Sequence, residues 1–85
     1  MDRFTRTDAL RIGTQLGIDW RQVDVEEFTT GLNVELEHGA RDPATNVTND
    51  DPVLTGKIAL AHLKELRDYY TRLARMEEDA AAATG

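Results

Sequence analysis

The stretch from residue 58 to residue 73, IALAHLKELRDYYTRL, has the periodicity of a strongly amphipathic helix. At about 100° per residue, one face of this helix and its continuation collects the apolar side chains Ile58, Leu66, Tyr69, Leu73 and Met76. His62 and Glu65 fall near the middle of the same face. Because a glutamate is rarely buried without a partner, this face must meet polar groups supplied by another part of the chain.

The segment ELEH, residues 35–38, offers such groups. Glu35 continues the apolar stripe of Phe28 and Leu32, and His38 follows one turn later. One helix therefore carries E-x-x-H and the other carries H-x-x-E. A spacing of three residues places both members of each pair on one helix face.

Carboxylate and imidazole side chains in this arrangement favour a metal ion. Glu supplies hard oxygen ligands and His supplies borderline nitrogen ligands, a combination that suits iron, manganese or zinc. The pattern predicts a metal site whose ligands are Glu35, His38, His62 and Glu65. Tyr69, one turn beyond Glu65, is a candidate hydrogen-bond donor to those ligands. The spacing assigns no catalytic residue, so metal binding with and without turnover are both left open.

Each of these residues also has a structural explanation. Glu35 and Glu65 can be partly buried carboxylates that accept hydrogen bonds from Arg or Tyr. His38 can interact with the C-terminus of its helix, and His62 can be a hydrogen-bonded core histidine. The alternative function is therefore a non-catalytic helical interaction module, in which the same side chains form a structural hydrogen-bond network.

Oligomerisation would complete a metal site of this kind. Bundles with two metal ions take their ligands from four helices, and one chain of this length supplies only half of them. Leu63 and Tyr70 flank the predicted inward face and would form an exposed apolar patch on a monomer. The sequence therefore predicts a homo-oligomer built on a twofold dimer, in which the two motifs can also meet across the subunit interface.

The composition narrows the range of partners. The chain has 85 residues, a formal net charge of -6 and no Cys. The negative charge disfavours binding to nucleic acid or to an anionic membrane surface, and the absence of Cys excludes thiolate ligands and disulfides. The first residues do not form an apolar signal segment. We expect a cytoplasmic protein, or one inside a protein compartment whose shell is then a partner.

Helix start and stop signals predict three helices in an all-α fold. The first runs from about Arg6 to Leu16, the second begins after Asp24 and ends at Gly39, and the third begins after Asp51 and runs to about Glu77. Capping pairs mark the three starts: Thr5 with Asp8, Asp24 with Glu27, and Asp51 with Pro52. The second and third helices are expected to form the main antiparallel pair, joined by a polar loop over residues 40–51. Residues 1–78 are predicted to form a single domain, and residues 79–85 are predicted to be a disordered tail.

Smaller features indicate how the core is filled. In the first helix, Leu10, Ile12 and Leu16 are expected to face inward. Trp20 is expected to close the small core after that helix. Gly31 lies beside the apolar stripe of the second helix, where the lack of a side chain lets another backbone approach closely.

Three sequence patterns together resemble a known family. They are E-x-E-H at residues 35–38, I-A-x-x-H-L-x-E at residues 58–65, and Y-Y-T-x-L-x-x-M-E at residues 69–77. The combination resembles a small uncharacterised helical domain family of bacteria, archaea and phages. The resemblance covers most of the chain, from Ala9 to Glu77, and implies no activity.

A looser similarity is to the encapsulated ferritin-like proteins, two-helix half-ferritins that dimerise to form a ferroxidase site from Glu and His. That similarity implies a ferritin-like pair of helices and iron oxidation or storage at Glu35, His38, His62 and Glu65. The chain differs from those proteins because it is shorter, has an additional first helix and has a His on both helices. These differences argue against ferroxidase activity more strongly than they argue against metal binding.

Overall fold

Helices form the regular secondary structure of the part of the protein that the computed structural model describes, residues 3–41, 44 and 51–84. The long helices are α1 (Arg6–Gln15), α2 (Val25–Arg41), α3 (Pro52–Glu65) and α4 (Tyr69–Thr84). The all-α prediction is therefore confirmed, but the prediction of three helices is wrong, because the predicted third helix is divided into α3 and α4. No helix within the described residues is both long and apolar enough to cross a membrane.

The division between α3 and α4 falls at Leu66. Its backbone is extended, with φ −152° and ψ 113°, although its N–H still bonds to the His62 carbonyl oxygen at 3.0 Å. A turn follows, closed by a 3.1 Å hydrogen bond from the Tyr69 N–H to the Leu66 carbonyl oxygen. No Gly or Pro marks this position, and the local signal is Asp68, a residue type that favours the position before a helix. The turn redirects the chain so that Tyr70 enters the core.

The predicted residues cap the helix starts. The Thr5 side chain accepts a hydrogen bond from the Asp8 N–H, and the Asp8 carboxylate accepts one from the Thr5 N–H at 2.8 Å. Asp24 accepts a hydrogen bond from the Glu27 N–H at 3.0 Å. Asp51 accepts hydrogen bonds from two backbone N–H groups in the first turn of α3. These side chains satisfy N–H groups that have no partner within their own helix, and so they fix where each helix begins.

Two glycines near helix ends, Gly17 and the predicted helix end Gly39, behave differently. Gly17, just beyond α1, has φ +73°, a left-handed conformation that glycine adopts without strain. Gly39 does not end α2, which continues to Arg41 with Gly39 buried inside it. The predicted polar loop over residues 40–51 lies mostly outside the described residues.

Among the described residues, one hydrophobic cluster lies between the helices, and α2 and α3 form the most extensive helix pair. Its buried hydrophobic members are Phe4, Ala9, Ile12, Phe28, Leu32, Ala59, Leu63 and Tyr70. Trp20 packs against this cluster, with its ring centroid 5.8 Å from that of Phe28 in an edge-on arrangement. Ile12 is buried as predicted, whereas Leu10 is exposed.

The buried face of α3 is displaced from the predicted face. Its buried residues are Thr55, Gly56, Ala59 and Leu63. Small side chains on this face let α3 approach its neighbours closely, since a Cβ atom at Gly56 would lie 2.8 Å from Ile12 Cγ2. A periodicity count weights large apolar residues and therefore misses such a face. Leu66, just beyond α3, and Met76, in α4, were both predicted to face inward, but they are 37% and 61% exposed.

The predicted oligomer patch lies inside the monomer. Leu63 and Tyr70 are both buried in the core cluster, because the turn after α3 folds α4 back onto α2 and α3. They therefore cannot form the exposed apolar surface on which the dimer prediction was based. At the other end of α4, the helix extends through residues 79–84, within the segment predicted to be a disordered tail.

Candidate functional site

Glu35 occupies the centre of a group of polar and aromatic side chains between α2, α3 and α4. Only 11% of its side-chain surface is exposed. Its Oε2 atom lies 3.1 Å from Nδ1 of His62, and its Oε1 atom lies 3.8 Å from Nδ1 of His38. The first distance is that of a hydrogen bond, whereas the second is too long for one. We call Glu35, His62, Tyr69 and Tyr70 the polar cluster.

Tyr70 connects the two predicted motifs. Its hydroxyl donates a hydrogen bond to Glu35 Oε2 at 2.8 Å and lies 3.0 Å from His62 Nδ1. A tyrosine hydroxyl has a single hydrogen, and that hydrogen is directed to Glu35. The His62 Nδ1 must therefore carry a proton and donate it towards the tyrosine and glutamate oxygens. In the neutral imidazole this leaves the free lone pair on Nε2.

The aromatic rings fix the orientation of His62. The Tyr69 ring stacks on the imidazole with a centroid distance of 4.4 Å and an interplanar angle of 7°. Tyr69 and Tyr70 meet edge to face, with centroids 5.0 Å apart. Tyr69 was predicted to donate a hydrogen bond to metal ligands, but within the described residues its observed role is this stacking. His62 keeps 32% of its side-chain surface exposed, so the cluster lies at the edge of the core.

The environment of Tyr70 keeps its hydroxyl protonated. Burial raises the pKa of this hydroxyl well above its ordinary value, and the hydrogen bond to Glu35 and the negative charge of that carboxylate raise the pKa further. Tyr70 is therefore a permanent hydrogen-bond donor near neutral pH. It was missed as a site residue because it was assigned to a surface patch.

A glycine in α2 carries the signal that could have identified Tyr70. Gly31 lies one turn before Glu35 on α2, and a Cβ atom built on it would overlap the Tyr70 ring. The close approach expected at Gly31 is therefore made by an aromatic side chain and not by another backbone. A glycine one turn before a buried carboxylate leaves space for a ring whose hydroxyl can reach that carboxylate.

Glu27 forms a second polar contact between α2 and α4. Its Oε2 atom accepts a hydrogen bond from the Thr71 hydroxyl at 2.5 Å, and its Oε1 atom accepts one from the Thr71 N–H at 3.2 Å. The predicted reciprocal contact of Glu27 with Asp24 is replaced by this longer-range one. Glu27 thus caps the N-terminus of α4 from a neighbouring helix, where a carboxylate also interacts favourably with the helix dipole.

The other two predicted ligands lie at the margin of the polar cluster or outside it. His38 is 53% exposed, and its closest approach to the cluster is the 3.8 Å separation from Glu35. Glu65 is exposed at the last position of α3. It has no hydrogen bond or ion pair with the described residues, because α3 turns a different face inward. The structure therefore brings together Glu35 and His62, with His38 nearby, and leaves Glu65 apart.

The donor atoms around Glu35 determine whether a metal ion fits between these helices. Among the described residues, no group of three or more His, Asp or Glu side chains is arranged to hold a metal ion. The donors that do converge are engaged with each other, since His62 Nδ1 and the Tyr70 hydroxyl both face Glu35. No buried side-chain nitrogen or oxygen in the described part of the chain lacks a hydrogen-bond partner. Glu35 Oε2, His62 Nδ1 and the Tyr70 hydroxyl therefore form a hydrogen-bond network among themselves.

The outer face of α4 is a second candidate site. Leu66, Tyr69, Leu73 and Met76 line an open depression of about 270 Å³ together with Arg72. From residue 74 to residue 82 every residue of α4 is exposed. Met76, the large apolar side chain of this segment, is 61% exposed. We call Tyr69, Leu73, Met76 and Ala80, which follow one another at intervals of four, three and four residues, the α4 stripe.

A family model described as "Protein of unknown function (DUF5661)" matches residues 9–79. The match spans most of the 85 residues, so the chain belongs to this family. No curated protein and no solved structure matches it. The resemblance to a small uncharacterised domain family is confirmed, and none of these comparisons shows a link to ferritin-like proteins.

Proposed function

We propose that this member of the DUF5661 family is a non-catalytic helical interaction module whose binding surface is the outer face of α4. The observation that carries the proposal is the exposure of Met76 in the outer part of the α4 stripe, on a helix whose first turn is anchored and whose Tyr69 and Leu73 also pack against the core. Met76 is 61% exposed and the neighbouring Leu66 is 37% exposed, next to an open apolar depression. A contiguous apolar surface with a charged rim is typical of a protein interaction site.

The polar cluster supports this function by holding α4 in place. The Tyr70 hydroxyl and the Glu27–Thr71 pair join the first turn of α4 to α2, and Tyr69 joins it to His62 of α3. Each contact is made by the first three residues of α4. The remainder of the helix is then presented to solvent from a fixed base, which reduces the conformational freedom that a partner would have to restrict on binding.

The chemistry of the cluster favours a structural role over a catalytic one. The carboxylate, the imidazole Nδ1 and the phenol are hydrogen-bonded to each other, and the phenol has a raised pKa. A general base or a nucleophile needs a free lone pair in reach of a substrate. In this cluster Glu35 Oε2, His62 Nδ1 and the Tyr70 hydroxyl are directed at each other, which leaves His62 Nε2 as the imidazole atom with a free lone pair.

Photo-crosslinking in cells tests the proposed surface. A benzoyl-phenylalanine replaces Met76 in one variant and Ala74 in a control variant, since Ala74 is exposed on the same helix but lies off the α4 stripe. We expect a discrete crosslinked product from position 76 and none from position 74. Equal or absent products from the two positions would contradict an interaction surface on this face.

A second candidate function is metal binding at Glu35, His38 and His62, with iron, manganese or zinc. The observation that favours it is the approach of one carboxylate to two imidazole nitrogens, at 3.1 and 3.8 Å. An ion bound between Glu35 and His62 Nδ1 would have to displace the proton on that nitrogen, because a metal ligand needs a free lone pair. Glu65 is too remote from these donors to take part.

Titration calorimetry with zinc and with ferrous iron, on protein without a purification tag, tests this second function. Binding is expected to be lost in Glu35→Gln and retained in the matched control Glu65→Gln. Wild-type protein that releases no heat of binding with either metal would exclude the site. Equal binding by both variants would place the metal elsewhere.

A further inference from the structure

We propose that the α4 stripe is occupied by the α4 stripe of a second copy of this chain, with the two helices antiparallel. The inference rests on the proposed interaction function and names its partner. The partner is deduced from three properties of one helix: its apolar spacing, the sizes of its side chains and the order of its charges.

The spacing of the α4 stripe suits a helix pair. Tyr69, Leu73, Met76 and Ala80 follow one another at intervals of four, three and four residues, the spacing of the seam in two-helix coiled coils. At about 100° per residue, the four side chains fall within an arc of about 60°. A seam this narrow fits one facing helix, whereas the core of a globular domain needs a wider apolar face.

The sizes of the side chains favour the antiparallel direction. Tyr69 and Leu73 are large and lie near the base of the helix, whereas Ala80 is small and lies towards its end. In an antiparallel pair Tyr69 of one copy lies opposite Ala80 of the other, and Leu73 lies opposite Met76. Each layer then combines side chains that fill a similar total volume, as close packing requires. A parallel pair would place Tyr69 against Tyr69 and leave a gap between two alanines.

The order of the charges favours the same direction. The first half of α4 carries Arg72 and Arg75, and the second half carries Glu77, Glu78 and Asp79. Arg72 and Asp79 are seven residues apart and therefore lie on the same edge of the stripe. Antiparallel pairing brings Arg72 of each copy to Asp79 of the other, twice by symmetry. Arg72 already pairs with Asp68 in an exposed contact, which is a weak interaction that a second carboxylate can join.

The position of the helical body also opposes a parallel pair. The first turn of α4 is attached to α2 and α3, so parallel helices would bring the α1–α3 portions of two acidic chains, each with a net charge of -6 over its whole length, to the same end. Antiparallel helices place these portions at opposite ends. The contact spans about three turns and is smaller than the roughly 1,200 Å² of a standard interface. We therefore expect a dissociation constant in the micromolar range.

Sedimentation velocity over a concentration series tests the self-association. Met76→Asp should weaken it by about tenfold or more, because it would place a carboxylate against apolar side chains. Ala74→Asp makes the same charge change on the same helix away from the stripe and should leave the association near that of the wild type. Met76 is exposed in the monomer, so both variants should remain folded, which circular dichroism verifies.

Two further variants test the direction. Arg72→Asp and Asp79→Arg should each weaken the dimer by roughly two- to fivefold, and the double variant should recover the lost affinity. The chain has no Cys of its own, so Ala80→Cys provides a single thiol. In the antiparallel dimer the two thiols are about 16 Å apart along the helix axis, too far for a disulfide. Efficient disulfide formation by Ala80→Cys would establish a parallel pair and overturn the inference.

The results separate this inference from the proposed function. A wild-type protein that stays monomeric at high micromolar concentration refutes the antiparallel dimer. If position 76 still crosslinks to a discrete species in cells, the interaction surface stands and its partner is a different protein. If position 76 gives no product and the protein is monomeric, both the surface and the dimer are wrong.

Discussion

The two faces of α4 differ in the chemistry of their side chains. The inner face is attached through polar contacts, from the Tyr70 hydroxyl to Glu35 and from Thr71 to Glu27. The outer face carries the apolar stripe, on which Met76 is 61% exposed. Amphipathic helices usually turn their apolar face towards their own core. The comparison shows that apolar periodicity marks a face suited to burial without specifying whether the same chain or another molecule covers it.

The largest expected effect comes from removing the aromatic side chain that anchors the inner face. Tyr70→Ala should lower the free energy of unfolding by about 4 kcal/mol, because it leaves a cavity and deprives Glu35 and His62 of a partner. Met76→Ala on the outer face should change it by less than about 0.5 kcal/mol when the protein is dilute. Urea unfolding followed by circular dichroism compares the two. Similar losses for both variants would show that the two faces of α4 are equally buried.

Replacing the glutamates of the two motifs, Glu35 and Glu65, should lower the free energy of unfolding by less than Tyr70→Ala does. Glu35→Ala should cost about 1–3 kcal/mol, because the buried Tyr70 hydroxyl loses its acceptor. Glu65→Ala should stay within about 0.5 kcal/mol, since Glu65 is exposed. The same urea titrations measure both differences, in metal-free buffer. A destabilised Glu65→Ala protein would contradict the separation of Glu65 from the polar cluster.

The pH dependence of stability should report on the Tyr70 hydroxyl. Folding raises the pKa of this group above its ordinary value, so the unfolded chain loses the proton first as the pH rises. The stabilisation is complete below the ordinary pKa of about 10 and falls above it by at most about 1.4 kcal/mol per pH unit. Urea midpoints measured between about pH 9 and about pH 11 should therefore decrease more steeply for the wild type than for Tyr70→Phe. Parallel curves for the two proteins would contradict the raised pKa.

Capping residues predicted correctly where the first three helices begin. The apolar periodicity predicted the number of helices wrongly. Thr5, Asp24 and Asp51 cap the helices that were expected, because capping depends on a few neighbouring residues. The break at Leu66 depends on contacts that Tyr70 makes with α2, far away in the sequence. Asp68 is the local sign of that break, and the prediction of one continuous helix followed the apolar periodicity on either side of it.

The sequence predicted only part of the candidate site, and the part that it missed also depends on contacts between helices. Glu35 and His62 do meet, because a polar residue on an apolar face needs a partner. Glu65 was placed with them on the assumption that α3 turns its large apolar residues inward. The helix instead buries its small residues Gly56 and Ala59, and this rotation moves Glu65 to the surface. Close helix packing through small residues depends on the shapes of both facing helices. The apolar periodicity of α3 alone therefore cannot reveal it.

The division of α4 into an attached face and a binding face can be tested most directly by nuclear magnetic resonance of the labelled protein over a dilution series. Raising the concentration from low micromolar to millimolar should shift or broaden the amide signals of Leu66 and of residues 72–82. The side-chain signals of Glu35, His62 and Tyr70, which lie outside the α4 stripe, should stay constant over the same range. Changes centred on α1 or on these three side chains, or a spectrum that does not vary with concentration, would contradict an outer face of α4 that binds a second copy.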